Sequence, residues 1–241
     1  MDAGQSWSVI IFAYNESEGI GGTIKKTLSV LPSLTQNDWE IIVVDDGSID
    51  ETNRIAQNAA EGHPQIRIIR HEKNLGIGKA LLTGYKAAKY RNVCAIPGDG
   101  QFDPKELIPF AQIPENTVVS FYRRKKIRYS LFRKTLSLGN RIYNRYLLGI
   151  RIRDVNWVKV YQHNMLQNIP SVLNSSLVES EMCAKIIHKG LEIIETPSVY
   201  NDRSGGSSKG ASAKILLQAI IEMPALFFEV KRYRRKNCLP K

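Results

Sequence analysis

Ile41-Ile42-Val43-Val44-Asp45-Asp46-Gly47-Ser48 reads as a buried strand that stops abruptly in a polar turn. Four β-branched residues in a row show no polar alternation, so both faces of this strand need covering. Reading outward, Ser8–Ala13 before it repeats the short apolar pattern, as do Ile66–Ile69, Val93–Ile96 and Thr117–Ser120 after it. Helical spacing fills the gaps. Ile20, Ile24, Leu28 and Leu31 recur at three to four residues, and Ile55, Ala56, Ala59 and Ala60 follow a cap supplied by Asp50 or Ser48. A further helix is expected from about Gly78 to Tyr90. This alternation predicts an α/β fold, with right-handed crossovers and a mostly parallel sheet flanked by helices on both faces.

The second half is patterned differently. Residues 123–134 are densely basic, and a helix with Leu131, Leu138, Ile142 and Tyr146 on one stripe is expected after them. A short strand near Trp157–Tyr161, a helix over Leu177–His188 and a strand over Leu191–Thr196 follow. Asn201–Ser212 is a Gly/Ser-rich loop. The last helix, roughly Ala213–Arg235, is amphipathic and ends in Lys231, Arg232, Arg234, Arg235 and Lys236. No composition shift separates two independent domains. The expected division is a single domain over 1–212 with a C-terminal amphipathic basic helix over 213–241.

Composition narrows the function classes. The chain has 241 residues, 43% of them hydrophobic, which suits a packed core rather than a disordered tail. Three Cys, far apart, give neither a disulfide framework nor paired zinc spacing, so a reducing compartment is expected. The first residues lack a basic segment followed by a long apolar run, so no secretory signal is expected. The best membrane-span candidate, Ile215–Val230, is interrupted by Gln218, Glu222 and Pro224, so no crossing helix is expected. The net charge of +11 calls for an acidic partner.

In open α/β sheets, ligands bind beyond the carboxyl ends of the strands. Four strands end in polar tips there: Ala13-Tyr14-Asn15-Glu16, Asp45–Thr52, Asn74–Ala80 and Pro97–Pro104. Singly, each tip is ordinary turn and cap chemistry. Together on one rim, they make a candidate site. Two phosphate motifs are absent. A Walker loop fails because Gly78-Lys79 is followed by Ala80, with Lys73 at the first Gly position. A dinucleotide fingerprint fails because its glycines would follow the third strand, and Leu81 stands at the last Gly position.

In their order, the tips resemble glycosyltransferase family 2, and within it the polyisoprenyl-phosphate glycosyltransferases. Ala13-Tyr14-Asn15-Glu16 is similar to that family's Pro-Ala-Tyr-Asn-Glu, with Phe12 in place of Pro. Val43–Ser48 with Asp50 and Thr52 resembles its nucleoside-binding segment. Asn74, Gly76, Gly78, Ala80 and Gly84 fit its Asn-x-Gly-x-Gly-x-Ala-x-x-x-Gly run. Asp99-x-Gln101 fits the second half of its Asp-x-Asp-x-Gln metal segment, with Pro97 at the first Asp. Asp154, Glu181, Glu195-Thr196-Pro197 and Asp202–Lys209 follow its late landmarks. The resemblance spans about residues 7 to 212 and implies a Rossmann-like GT-A fold.

It also implies roles. Ala13, Tyr14, Glu16, Asp45 and Asp46 would bind the nucleoside of a nucleotide sugar, since carboxylates accept from its hydroxyl and N–H donors. Gly76, Gly78 and Lys79 would lie near the nucleotide. Asp99 and Gln101 would hold Mg2+ or Mn2+ against the diphosphate. Because Pro97 cannot ligate, the oxygen set left is Asp99 and Gln101, with Asp103 a further candidate, and either a weaker ion site completed by diphosphate and water or compensation by Lys and Arg is expected.

A lipid-phosphate acceptor is already anionic and needs positioning and charge neutralisation. Arg123, Arg133, Arg203, Ser208 and Lys209 are the candidates for that. A hydroxyl acceptor, as in surface polysaccharide synthesis, needs a general base instead, and Glu181 or Asp154 would serve, Asp154 having the alternative task of orienting the acceptor or an arginine. The basic C-terminal helix suits an anionic membrane surface, giving a cytoplasmic protein peripheral at the membrane, alone or as a homo-oligomer. A nucleic-acid-binding module is the weaker rival, because its basic residues lack interleaved aromatics.

Overall fold

The computed structural model describes residues 5–36, 38–124, 138–169, 171–205 and 213–237, with the side chains of 213–216 left out. Seven strands form one sheet: β1 (Trp7–Ala13), β2 (Trp39–Asp45), β3 (Ile66–Arg70), β4 (Asn92–Pro97), β5 (Thr117–Arg123), β6 (Lys159–Gln162) and β7 (Glu192–Ser198). The helices are α1 (Ile20–Leu34), α2 (Thr52–Ala60), α3 (Ile77–Ala87), α4 (His163–Asn168), α5 (Val178–His188) and α6 (Ala213–Asn237). The strand order is β3-β2-β1-β4-β6-β5-β7. β3, β2, β1 and β4 run parallel in sequence. β6 is antiparallel to both β4 and β5, and β5 pairs parallel with β7. The sheet is therefore mostly parallel, as the alternation predicts.

β2 is longer than its apolar run. Trp39 pairs with Trp7, and Asp45 pairs with Ala13 and Arg70, so the ladder carries the polar Asp45 into the strand. Pleating divides the apolar runs between two faces. Val9, Ile11, Ile41, Val43, Cys94 and Ile96 meet α1 and α2 on one face. Ile10, Ile42, Val44, Val93 and Ala95 meet α3 and α5 on the other. Burying each such side chain contributes about 1.5–3 kcal/mol.

Three local expectations need correcting. The stripe of Leu138, Ile142 and Tyr146 is exposed, and Leu131 lies outside the described residues. Residues 138–142 are helical, but the wider turn of Tyr143–Leu147 rotates the face, and Asn144 and Leu148 go inward instead. The expected helix to Tyr90 ends at Ala87. A 3-10 helix over Pro104–Phe110, unforeseen in sequence, is capped by Asp103, whose carboxylate accepts from Lys105 N.

α6 packs on the body through Leu226 and Val230, which join Leu148, Cys183 and Ala184 in a third apolar cluster. Tyr143 also donates a hydrogen bond to the Met223 carbonyl. No described helix is long and apolar enough to cross a membrane.

Candidate active site

The first two tips are laced together by backbone donors. Asn15, in the left-handed region at φ 52°, places its N–H on Ser48 Oγ at 2.9 Å and accepts from Ile49 N at 2.8 Å. Glu16 N donates to Thr52 Oγ1 at 2.8 Å. Ser48 thus serves Asn15, while Asp50 accepts from Thr52 N at 3.0 Å just ahead of the N-cap of α2, Glu51, whose own side chain makes no capping bond. Gly47 has φ +70°, and an added Cβ would stand 2.4 Å from the Lys73 carbonyl carbon, so this turn accepts only glycine.

Asp45 and Asp46 are both buried, and they point to different tasks. Asp45 Oδ1 accepts from Ser48 N at 2.9 Å, and its Oδ2 faces Arg70 Nε at 3.3 Å. Asp46 Oδ1 accepts from Leu75 N at 2.9 Å and Oδ2 from Gly76 N at 2.8 Å. His71 Nδ1 lies 2.7 Å from Asp46 Oδ1, with its Nε2 2.9 Å from Thr83 Oγ1. Through both oxygens, Asp46 folds the third tip onto the second.

That tip leads into α3, which carries Lys79 in its first turn. Gly78 presses against the 174–175 backbone, where an added Cβ would stand 2.0 Å from the Ser175 carbonyl oxygen. Gly78→Ala must therefore move backbone, and a loss of about 2–4 kcal/mol with weakened nucleotide binding is expected. Thermal melts with and without nucleoside diphosphate measure both.

The fourth tip is where distant sequence converges. Asp99 is buried. Its Oδ1 accepts from Gln101 N at 3.0 Å, and its Oδ2 receives Arg203 NH2 at 2.9 Å. The same Arg203 NH2 donates to Glu16 Oε1 at 3.0 Å. Backbone bonds strap the Arg203 segment down, from Ser204 N to Asp99 O at 3.1 Å and from Asn201 N to Gln101 O at 3.0 Å. Gln101 Nε2 donates to Tyr200 Oη at 2.6 Å. Ala13 and Tyr14 border this rim at the end of β1.

Arg123 and Asp154 meet as a fork. Arg123 Nε donates to Asp154 Oδ2 at 2.7 Å and NH2 to Oδ1 at 3.0 Å. The guanidinium also lies 5.1 Å from the Trp157 ring centroid and 5.7 Å from that of Tyr200. Asp154 therefore orients an arginine rather than standing ready as a base. Arg133, Ser208 and Lys209 lie outside the described residues.

Glu181 departs furthest from expectation. It is fully buried and accepts from Lys185 Nζ at 2.6 Å, Ser171 Oγ at 2.6 Å and Leu173 N at 2.9 Å. Burial opposes its charge, but these hydrogen bonds hold its carboxyl below the usual range. A carboxylate so engaged is a weak base, and its role here is to fix the 171–173 backbone. Its lowered pKa adds stability that is complete above the unfolded carboxyl's value of about 4.3. Acid melts should show that stability falling below this pH, and falling less in Glu181→Gln.

Sequence reading missed Arg70, His71 and Tyr200. Arg70 ends β3 and His71 follows it, so the rim rule applied from the end of the strand rather than from Asn74 finds them; Tyr200 adjoins the Asp202-Arg203 motif but carries no signal of its own.

A family model described as "Glycosyl transferase family 2" matches residues 8–168. The chain is 26% identical over 229 residues to the polyprenol monophosphomannose synthase of Mycolicibacterium smegmatis, covering 86% of this chain and 82% of that protein. It is 24% identical over 230 residues to the undecaprenyl-phosphate mannosyltransferase of Micrococcus luteus, covering 89% and 90%. Glucosyl-3-phosphoglycerate synthase from Mycobacterium tuberculosis in complex with UDP superposes with a TM-score of 0.70 at 18% identity, covering 94% of this chain and 81% of that one. The same enzyme with Mn2+, UDP and glucosyl-3-phosphoglycerate gives 0.64 at 19%, covering 99% and 82%. These two likenesses carry the fold.

Proposed function

Because the chain belongs to glycosyltransferase family 2, we propose that this glycosyltransferase moves a sugar from a nucleoside diphosphate to a polyisoprenyl phosphate with inversion at the anomeric carbon. The observation that carries the acceptor is the state of the candidate bases. Glu181 is locked by Lys185, and Asp154 is locked by Arg123. A sugar hydroxyl needs a base to take its proton, whereas a phosphate oxygen attacks as it stands. The acceptor oxygen forms the new bond to the anomeric carbon, the bond to the donor's β-phosphate breaks, and the nucleoside diphosphate leaves with its electron pair.

Ala13, Tyr14 and Asp45 border the nucleoside, while Asp46 shapes the Gly76 turn and α3 that approach it. Arg203 neutralises the acceptor phosphate. Among the described residues, no three Asp, Glu, His or Cys side chains gather into a self-standing metal site. Asp99 and the Gln101 amide oxygen instead suit an Mg2+ or Mn2+ ion that brings its remaining ligands from diphosphate and water. Such an ion, when bound, neutralises the charge developing on the leaving group.

α6 supports work at a bilayer surface. Leu217, Ile220, Ile221 and Phe228 are exposed while Leu226 and Val230 are buried, and the helix ends in Arg234, Arg235 and Lys236. An exposed apolar stripe beside a basic cluster suits anionic headgroups.

The test starts with a thermal-shift screen of nucleoside diphosphates with and without Mg2+ or Mn2+. The matching labelled donor is then offered polyisoprenyl phosphate and oligosaccharide acceptors. Label in the phospholipid fraction is the expected result; label only on a sugar hydroxyl overturns the acceptor.

A further inference from the structure

Arg203 sits where two demands of the proposed reaction collide. Its NH2 is 3.0 Å from Glu16 Oε1 and 2.9 Å from Asp99 Oδ2, and the three side chains are largely withdrawn from water, at 20%, 12% and 6% exposure. Donor binding wants the Asp99 carboxylate on a divalent ion. Acceptor binding wants the guanidinium on a phosphate. In this structure each group occupies the other.

We infer that Arg203 is the resident counter-ion of the Glu16–Asp99 cradle. A divalent ion arriving with the donor diphosphate takes its place, and the displaced guanidinium turns to the acceptor phosphate. This rests on the donor and acceptor reading above. Buried Asp99 exchanges one cation for another, so it is never left unpaired in the interior, where an uncompensated charge is costly. The backbone need not open, because Ser204 N and Asn201 N hold the segment to Asp99 O and Gln101 O independently of the side chain. The consequence is an order of binding, donor first and acceptor second, set by one ion pair.

The test titrates Mn2+ into the full-length protein, read by electron paramagnetic resonance of the free ion. It is run alone and then with saturating uridine or guanosine diphosphate. In the wild type, the nucleotide should raise Mn2+ affinity strongly. Arg203→Gln removes the competitor, so Mn2+ alone should bind about tenfold tighter, and the nucleotide's enhancement should shrink by a similar factor. Arg203→Lys keeps the charge on a shorter side chain without the guanidinium's second contact from Nε to Asp99, and should shift in the same direction by less; it also serves if Arg203→Gln does not fold. Arg54→Gln removes an equal charge from the exposed face of α2, where Arg54 pairs with Glu51, and should leave Mn2+ affinity unchanged. Unaltered or weaker Mn2+ binding in both Arg203 variants overturns the exchange, as does equal tightening by Arg54→Gln. If neither nucleotide binds any variant, the donor reading falls by itself, and the nucleotide-free titration still decides whether Arg203 competes with the ion.

Discussion

Asp99→Asn is expected to lower sugar transfer roughly 10³-fold while the protein stays folded. Asn keeps the size of the side chain and the oxygen that accepts from Gln101 N, so the β4 turn is preserved. What it loses is the negative charge that Arg203 reads at 2.9 Å and that a divalent ion needs. With Pro97 at the other position of this tip, there is no second strand-end carboxylate in β4 to share the task. In the proposed reaction, a divalent ion on the leaving diphosphate and the placement of Arg203 would both depend on this one carboxylate. Turnover with saturating donor, measured beside a thermal melt, separates the two effects. A rate within tenfold of wild type in a folded variant would remove Asp99 from the chemistry.

Glu179→Ala is expected to cost about 3–5 kcal/mol of stability, because it strands a buried ammonium. Lys159 is 1% exposed, with its Nζ 2.9 Å from Glu179 Oε2. Tyr161 Oη donates to the same Oε2 and Tyr85 Oη to Oε1, each at 2.7 Å. Burial, reinforced by the neighbouring carboxylate, pushes both phenols well above their usual range, so they stay neutral donors. Removing Glu179 leaves two hydroxyls and one cation without their common acceptor. The backbone carbonyls of Val155 and Trp157 still hold Lys159, but they carry no charge to offset it. For a chain of this size, the loss corresponds to a melting point roughly 6–20 °C lower. Glu179→Gln keeps one acceptor and should fall between. A melting point unchanged in Glu179→Ala would mean that water or another group already satisfies Lys159.

Glu179 and Glu181 illustrate what a linear reading loses. Two carboxylates in one helix ordinarily mark a solvated face. α5 instead lies against the sheet on one side and α6 on another, and every residue from Val178 to Ile186 is buried. Glu179 then turns to Lys159, while Glu181 turns to Lys185, which also meets Glu229 of α6 at 3.1 Å. The Glu181–Lys185 pair is an i, i+4 spacing legible along α5, but no local spacing announces Lys159 of β6 or Glu229 of α6. Asp46 makes the same point: its motif was legible, but its partners Leu75, Gly76 and His71 are 25 to 30 residues away.

All seven strands, the parallel core, the rim that bears the candidate site and most of the helices, though not the 3-10 helix or α4, were legible in the sequence alone. These follow from apolar runs of strand length, helical periodicity and polar tips, all of which act over a few neighbouring residues. The rim rule then places Glu16, Asp45 and Asp99 together before any coordinates exist. Only the tertiary structure decided which cation meets which carboxylate. Arg203 lies 187 residues from Glu16 and 104 from Asp99. Ion pairs at 3 Å are set by where whole elements dock, and docking is governed by packing across the sheet and not by spacing along the chain.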